Sequence, residues 1–182
     1  MFPAEPEAMG LLALMLLQHS RLPARFDSNG DAVLMEDQDR RLWRTKLIQE
    51  GLALIDKAMR HRRTGIYLVQ AAIAALHARA LRFADTDWAG IDALYARLEQ
   101  LQPSPVVTLN RAVAVSKTTG PQAALDMIEP LAGRLANYFH FHGAKGALLL
   151  QLGKNGEARE SFDRAIALAN TAAEAAHIRM HI

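Results

Sequence analysis

The stretch Gly146–Ala165 reads GALLLQLGKNGEARESFDRA. A run of apolar residues stops at Gly153. An amphipathic segment then begins at Asn155, with Ala158, Phe162 and Ala165 on one helical face. Working outward, its features recur at a step of 34. Ala78, Ala112 and Gly146 form one column of small residues, and Gly90, Ala124 and Ala158 form another. Large apolar residues keep step: Leu81, Val115 and Leu149, then Leu94, Ile128 and Phe162. Small residues let two helix backbones approach closely, and large ones fill the groove beside them.

A period of this length with this small-then-large pattern is the mark of the tetratricopeptide repeat, a helical hairpin that stacks on its neighbours. The predicted fold is therefore all-α, a right-handed superhelix of tetratricopeptide-like helical hairpins with about nine helices and one non-helical insertion. The whole chain, residues 1–182, is read as one domain, with the most regular repeats over 71–172.

Composition agrees. Of 182 residues, 51% are hydrophobic but only 6% aromatic, so the apolar mass is Ala and Leu, which suits close helix packing rather than sheets. There are no cysteines, which excludes disulfides and thiolate metal sites. The net charge of +2, from 21 basic and 19 acidic residues, is no nucleic-acid footprint. The apolar stretch Gly10–Leu17 is too short to span a membrane, and Glu5 and Glu7 before it do not suit a signal peptide. No membrane association and a cytoplasmic location are expected.

Helices are predicted at about Glu7–Ser20, Arg40–Arg62, Ile66–Phe83, Trp88–Leu101, Val106–Lys117, Pro121–Arg134, Tyr138–Leu152, Asn155–Leu168 and Ala172–His181. Asp85 or Thr86 is the expected cap of the fourth. Gly51, Ile55 and Ala58 repeat the offsets of Ala158, Phe162 and Ala165, so the first two helices form a further hairpin. Its turn holds an insertion, residues 21–38. There Asn29-Gly30 between Arg25-Phe26 and Val33-Leu34 predicts a small hairpin or ordered loop.

Few residues suggest chemistry. His177 and His181 share a helix face, but only Glu174 lies near them in sequence, and no metal site is assigned. His140 and His142 alternate and do not share a face. Asp27–Asp31 has the composition of a calcium loop but the wrong glycine and glutamate positions. Arg60-His61-Arg62-Arg63 sits at a helix C-terminus, where cations stabilise the dipole end. In Glu36-Asp37-Gln38-Asp39-Arg40-Arg41-Leu42-Trp43, Asp37 or Asp39 is the expected helix cap. Arg40 or Arg41 can pair with those carboxylates. No nucleophile, ligand set or cofactor loop accompanies them, so no cofactor is expected and the chain is read as a non-enzyme.

Several segments together resemble one family. They are Glu7–Leu17, Glu36–Arg40 through Trp43, Gln70–Ala75, Thr86-Asp87-Trp88 and Pro103–Ala114. In this order they resemble the C-terminal extension of bacterial RNA polymerase sigma factors of the extracytoplasmic-function type that carry a tetratricopeptide-like tail. The resemblance covers nearly the whole chain. It implies that two sigma regions precede the extension in the parent protein. One binds core polymerase and promoter, and the other is a helix-turn-helix. Both are expected to be absent here, so DNA would be contacted only through those regions. The extension itself is implied to regulate transcription initiation by contacting the sigma regions and RNA polymerase core.

Asp37, Gln38, Asp39, Arg40 and Trp43 are the expected regulatory contact. His77, Arg79, Asn110, Arg111 and Lys145 are the expected lining of a concave groove. An uncapped repeat face would also allow self-association. The alternative is a small-molecule sensor or generic protein-binding scaffold. A ligand would then sit in the groove or under the insertion, beside Trp43 and Trp88.

Overall fold

The computed structural model describes residues 5–28, 30–169, 175 and 178. Among them are eight α-helices and no strand: α1 (Pro6–Ser20), α2 (Thr45–Met59), α3 (Ile66–Arg79), α4 (Trp88–Leu101), α5 (Pro105–Thr118), α6 (Pro121–Ile128), α7 (Phe139–Gln151) and α8 (Asn155–Leu168). The all-helical class expected from composition is the one present. No helix among the described residues is long and apolar enough to cross a membrane. Of the predicted terminal helix only Ala175 and Ile178 are described, both helical. Glu174, His177 and His181 lie outside the described residues.

The chain groups into two compact units, Met1–Pro103 and Ser104–Ile182. In the first, α1 packs on α2 and α3, and α3 packs on α2 and α4. Met9, Ala13, Leu17, Ile55, Ala58, Leu68, Ala71 and Ala75 form its core. Gly10 lets α1 and α3 meet at backbone distance: a Cβ there would lie 2.6 Å from Leu68 N.

In the second unit α5 packs on α6, α6 on α7 and α7 on α8. Its core runs from Leu109 and Ala112 to Phe162, Ala165 and Ile178. A Cβ on Gly146 would lie 2.7 Å from the Phe162 ring, so the small residue of one helix seats the large residue of the next.

The columns found in the sequence divide between the units. Ala112, Val115, Ala124, Ile128, Leu149, Ala158 and Phe162 are all buried. Ala78, Gly90 and Leu94 are half-buried, and Leu81 is 86% exposed. Leu81 leaves its column because α3 stops at Arg79 and Ala80 turns extended, correcting the predicted end at Phe83.

Two other helices differ by more than one residue, and one cap differs. The long helix predicted over Arg40–Arg62 is broken. Arg40–Leu42 is a 3-10 turn, Trp43 and Arg44 are extended, and α2 begins at Thr45. The break follows from tertiary bonds: Arg44 N donates to Ser20 O at 2.9 Å, and Trp43 is buried. The helix predicted to reach Arg134 stops at Ile128 and tightens into a 3-10 turn over Glu129–Leu131, because Pro130 has no N–H to continue it. The cap of α4 is Asp87, which accepts from Gly90 N at 2.8 Å, rather than Asp85 or Thr86.

The insertion closes on itself. Leu22–Ala24 is a 3-10 turn, Phe26 and Ala32 form an antiparallel bridge, and Val33 N donates to Arg25 O at 2.9 Å. Gly30 has φ of 86°, a conformation glycine adopts without penalty. Asn29 lies outside the described residues.

Candidate functional site

Helix α3 is held at both ends by charged side chains distant in sequence. The first N–H groups of a helix lack internal partners, and its N-terminus attracts negative charge. Glu7 on α1 supplies that charge, accepting from Tyr67 N at 2.9 Å and Leu68 N at 3.2 Å. Gly65 leaves room for it, since a Cβ there would fall on the Glu7 carboxylate. At the other end Arg40 Nη1 donates to His77 O at 2.7 Å and to Ala80 O at 2.8 Å, and Nη2 donates to Thr86 Oγ1 at 3.3 Å. A cation bonded to the last carbonyls is what that end of the dipole favours.

The aliphatic and ring surfaces around Arg40 form a hub. Trp43 is only 4% exposed. The Arg21 and Arg40 guanidiniums lie 5.2 Å and 5.0 Å from its ring centroid, within cation–π range. Buried Gln38 ties the hub to the insertion. Its Oε1 accepts from Arg21 Nε and Nη2, both at 3.3 Å, and its Nε2 donates to Val33 O at 3.1 Å. His77 packs edge-on to Trp88 at 5.4 Å, and Phe83 does the same at 5.3 Å. Among the described residues three buried nitrogens have no partner: Arg40 Nε, Trp43 Nε1 and His77 Nδ1.

Electrostatics in the hub are one-sided. Burial, then the charges of Arg25 and Arg40, bring the Arg21 pKa down to about 10. Burial, then Arg21 and Arg40, bring His77 down to about 4, so its ring is neutral near pH 7. Burial also lowers Arg40, against an opposing pull from Asp85.

The predicted regulatory contact therefore divides. Gln38, Arg40 and Trp43 point into the hub and hold the first unit together. Asp37 is exposed. Asp39 accepts from Arg41 N at 3.0 Å, capping the 3-10 turn, and receives the Arg41 fork at 2.9 Å and 2.7 Å. The bidentate pair expected in this run is thus Arg41 with Asp39, while Arg40 goes to α3.

Of the predicted groove residues, His77 belongs to the hub. Arg79 is exposed on a cleft of about 420 Å³ with Leu76, Leu81, Asp85 and Asp87. Asn110 is exposed and Arg111 half-buried on α5. Lys145, on α7, lines a cleft of about 330 Å³ with Phe141, His142 and Arg164. His77 and Arg79 are in the first unit and the other three in the second. His142 Nε2 lies 2.9 Å from Ala136 O, and His140 stacks on Phe139 at 3.8 Å. Among the described residues no three His, Asp or Glu side chains are grouped to hold a metal.

Two features escaped the sequence reading. Glu7 had no local signature, because its partners are 60 and 61 residues away. The outer face of α1 exposes Leu11, Leu12 and Met15, the last at 60%. The signal for that face was present: Leu11–Leu17 is apolar all round, which a one-sided surface helix does not need.

Comparison with known proteins adds family relations. Residues 1–59 match a family of unknown function, DUF6596. The match ends where α2 ends, so it takes in α1, the insertion, the Arg40 turn and α2. No solved structure matches the chain. The chain is 69% identical over all its 182 residues to a protein of Rhizobium meliloti (strain 1021) called "Uncharacterized protein R00370", and it spans 43% of that relative's length.

Proposed function

We propose that this chain is a protein-interaction module that acts as the regulatory extension of an extracytoplasmic-function type sigma factor. It modulates transcription initiation by the parent protein through contacts with the sigma regions and RNA polymerase core. It contributes no catalysis and works in the cytoplasm. The ordered motif resemblance supports the family assignment. The relative of which this chain spans 43% has length to spare for other regions. The tetratricopeptide-like superhelix belongs to the same proposal. It is supported by helices that pack in sequential pairs and by the Gly146–Phe162 seat.

The observation that carries the interaction reading is the outer face of α1. Leu11, Leu12 and Met15 stand together at helical spacing and are exposed at 38%, 45% and 60%. Contiguous exposed apolar surface rimmed by polar residues marks a binding face. A helix laid against such a stripe is a common recognition mode.

The test is a binding titration of this chain against the sigma regions of its parent protein. Saturable binding is expected, together with a loss of about tenfold or more in L12D/M15D as hydrophobic anchors are removed. Both positions are exposed, so the variant keeps its helical circular dichroism. No binding by the unmodified chain rejects the reading. Equal binding by the double variant moves the interface away from α1.

The second reading, a small-molecule-sensing scaffold, is favoured by one observation: the unpartnered nitrogens of the Trp43 hub.

A further inference from the structure

We propose that the hub formed by Arg21, Arg40 and Trp43 is a receptor for a small oxyanion, a carboxylate or phosphate group. The site does not depend on the sigma-factor reading.

Charge is the first reason. Two guanidiniums lie within 5.2 Å of one buried indole. Among the described residues neither is bonded to a carboxylate. Arg21 donates to the neutral amides Gln18 and Gln38, and Arg40 donates to two backbone carbonyls and a threonine hydroxyl. Asp85, the acid that acts on Arg40, is itself forked to Arg82 at 2.8 Å. Partly desolvated like charges without a bonded counter-charge are costly, and an anion beside them offsets that cost.

Donor bookkeeping is the second. Trp43 Nε1 and Arg40 Nε can only donate, and both are sealed from solvent without an acceptor. Leaving one buried donor unpaired costs roughly 1–3 kcal/mol. His77 Nδ1 adds a third unpaired atom, able to donate in one tautomer. An oxyanion offers only acceptors, which complements the unpaired donors Trp43 Nε1 and Arg40 Nε. A water molecule would satisfy some of these atoms but would bring no negative charge to the two guanidiniums.

The third reason is the loose hold on Arg21. The three hydrogen bonds that hold the Arg21 guanidinium are 3.3, 3.3 and 3.4 Å, at the long end of the useful range. Exchanging them for a charge-assisted, bidentate contact is favourable. Arg21 is therefore the hub cation most readily drawn to an anion.

The experiment uses the whole chain carrying W88F, so that emission reports Trp43 alone. Sodium phosphate and sodium acetate are each titrated against sodium chloride at matched ionic strength, following emission and the thermal midpoint. A saturable response to phosphate or to acetate, absent with chloride, is expected; the anion that acts assigns the group. R21M should weaken apparent affinity about tenfold or more, the worth of one charge-assisted contact. R25M, which removes a nearby charge outside the Trp43 contact, should change it only about twofold. R40K tests the fork, and R21M decides alone if R40K is unstable. Responses to phosphate and acetate no greater than to chloride overturn the proposal. So does an R21M titration that matches the R25M one.

Discussion

The two units solve the same packing problem with different materials. In Ser104–Ile182 the helices are joined by shape. Gly146 receives Phe162, while Ala112, Ala124 and Ala158 keep backbones close and Val115, Ile128 and Leu149 fill the gaps. In Met1–Pro103 the corresponding columns weaken: Ala78, Gly90 and Leu94 are half-buried and Leu81 is in solvent. There the close approach of α1 and α3 at Gly10 is supplemented by charge placed at helix ends. Glu7 and Arg40 grip the two ends of α3, and Arg21, Arg40 and Trp43 tie in the insertion. The contrast teaches that a repeat can lose its period without losing its packing, provided directional bonds take over.

The largest test of this contrast is F162A. Phe162 is 2% exposed and seated on a glycine that leaves nothing to collapse into the space. Truncation should lower stability by about 3–5 kcal/mol in denaturant unfolding followed by circular dichroism. G146A inserts a methyl 2.7 Å from the same ring and should cost about 1–3 kcal/mol by overpacking. Both tryptophans, Trp43 and Trp88, lie in the first unit, so their emission reports that unit separately. If F162A is near-neutral, shape does not hold the second unit and the comparison fails.

The first unit should instead respond to pH. His77 falls from 6.5 to about 4 on folding, so the unfolded chain binds a proton that the folded chain does not. Stability then rises with pH between those values. The His77 contribution is fully present above about pH 6.5 and is lost as pH falls toward 4. The span is worth about 3 kcal/mol. The cause is first the burial of the ring, with Trp88 at its edge, and then the charges of Arg21 and Arg40, beside which a third positive charge would be unpaired. H77F keeps the ring, removes the unpaired nitrogen and should flatten this slope relative to the unmodified chain. Parallel pH curves for the two proteins would place His77 in water.

How much of this was legible follows from what leaves a local trace. The Asn155–Leu168 and Trp88–Leu101 helices were readable to the residue because Gly153 and Asn155, and Pro103 and Pro105, punctuate them. The Arg40–Arg62 helix was misread because its apolar stripe is continuous. The break at Trp43 and Arg44 is made by Ser20, more than 20 residues away. The candidate site suffered likewise. The Asp37–Trp43 run was visible as an unusual cluster, and an Arg–Asp fork was foreseen in it. That Arg40 would leave the cluster for the carbonyls of His77 and Ala80 is a tertiary fact with no spacing rule behind it. Glu7 was passed over for the same reason.

Two smaller perturbations separate charge from hydrogen bonding at the ends of α3. R40M leaves the carbonyls of His77 and Ala80 without their donor and should cost about 2 kcal/mol, with R40K recovering part of it because the charge remains. E7Q is the finer probe. An amide oxygen can still accept from Tyr67 N or Leu68 N, but the negative charge at the helix N-terminus is gone. The expected loss is about 0.5–1 kcal/mol, the size of a charge–dipole contribution at a helix end, and it should shrink in high salt. E7A removes both charge and acceptor and should cost more, about 1–2 kcal/mol, with little salt dependence in the added part. If E7Q and E7A are equal, charge alone matters and the bonds to Tyr67 and Leu68 are incidental. If E7Q is silent while E7A is not, the carboxylate acts as an ordinary cap. The first unit would then hold α3 by hydrogen bonds at both ends, with charge contributing only at the Arg40 end.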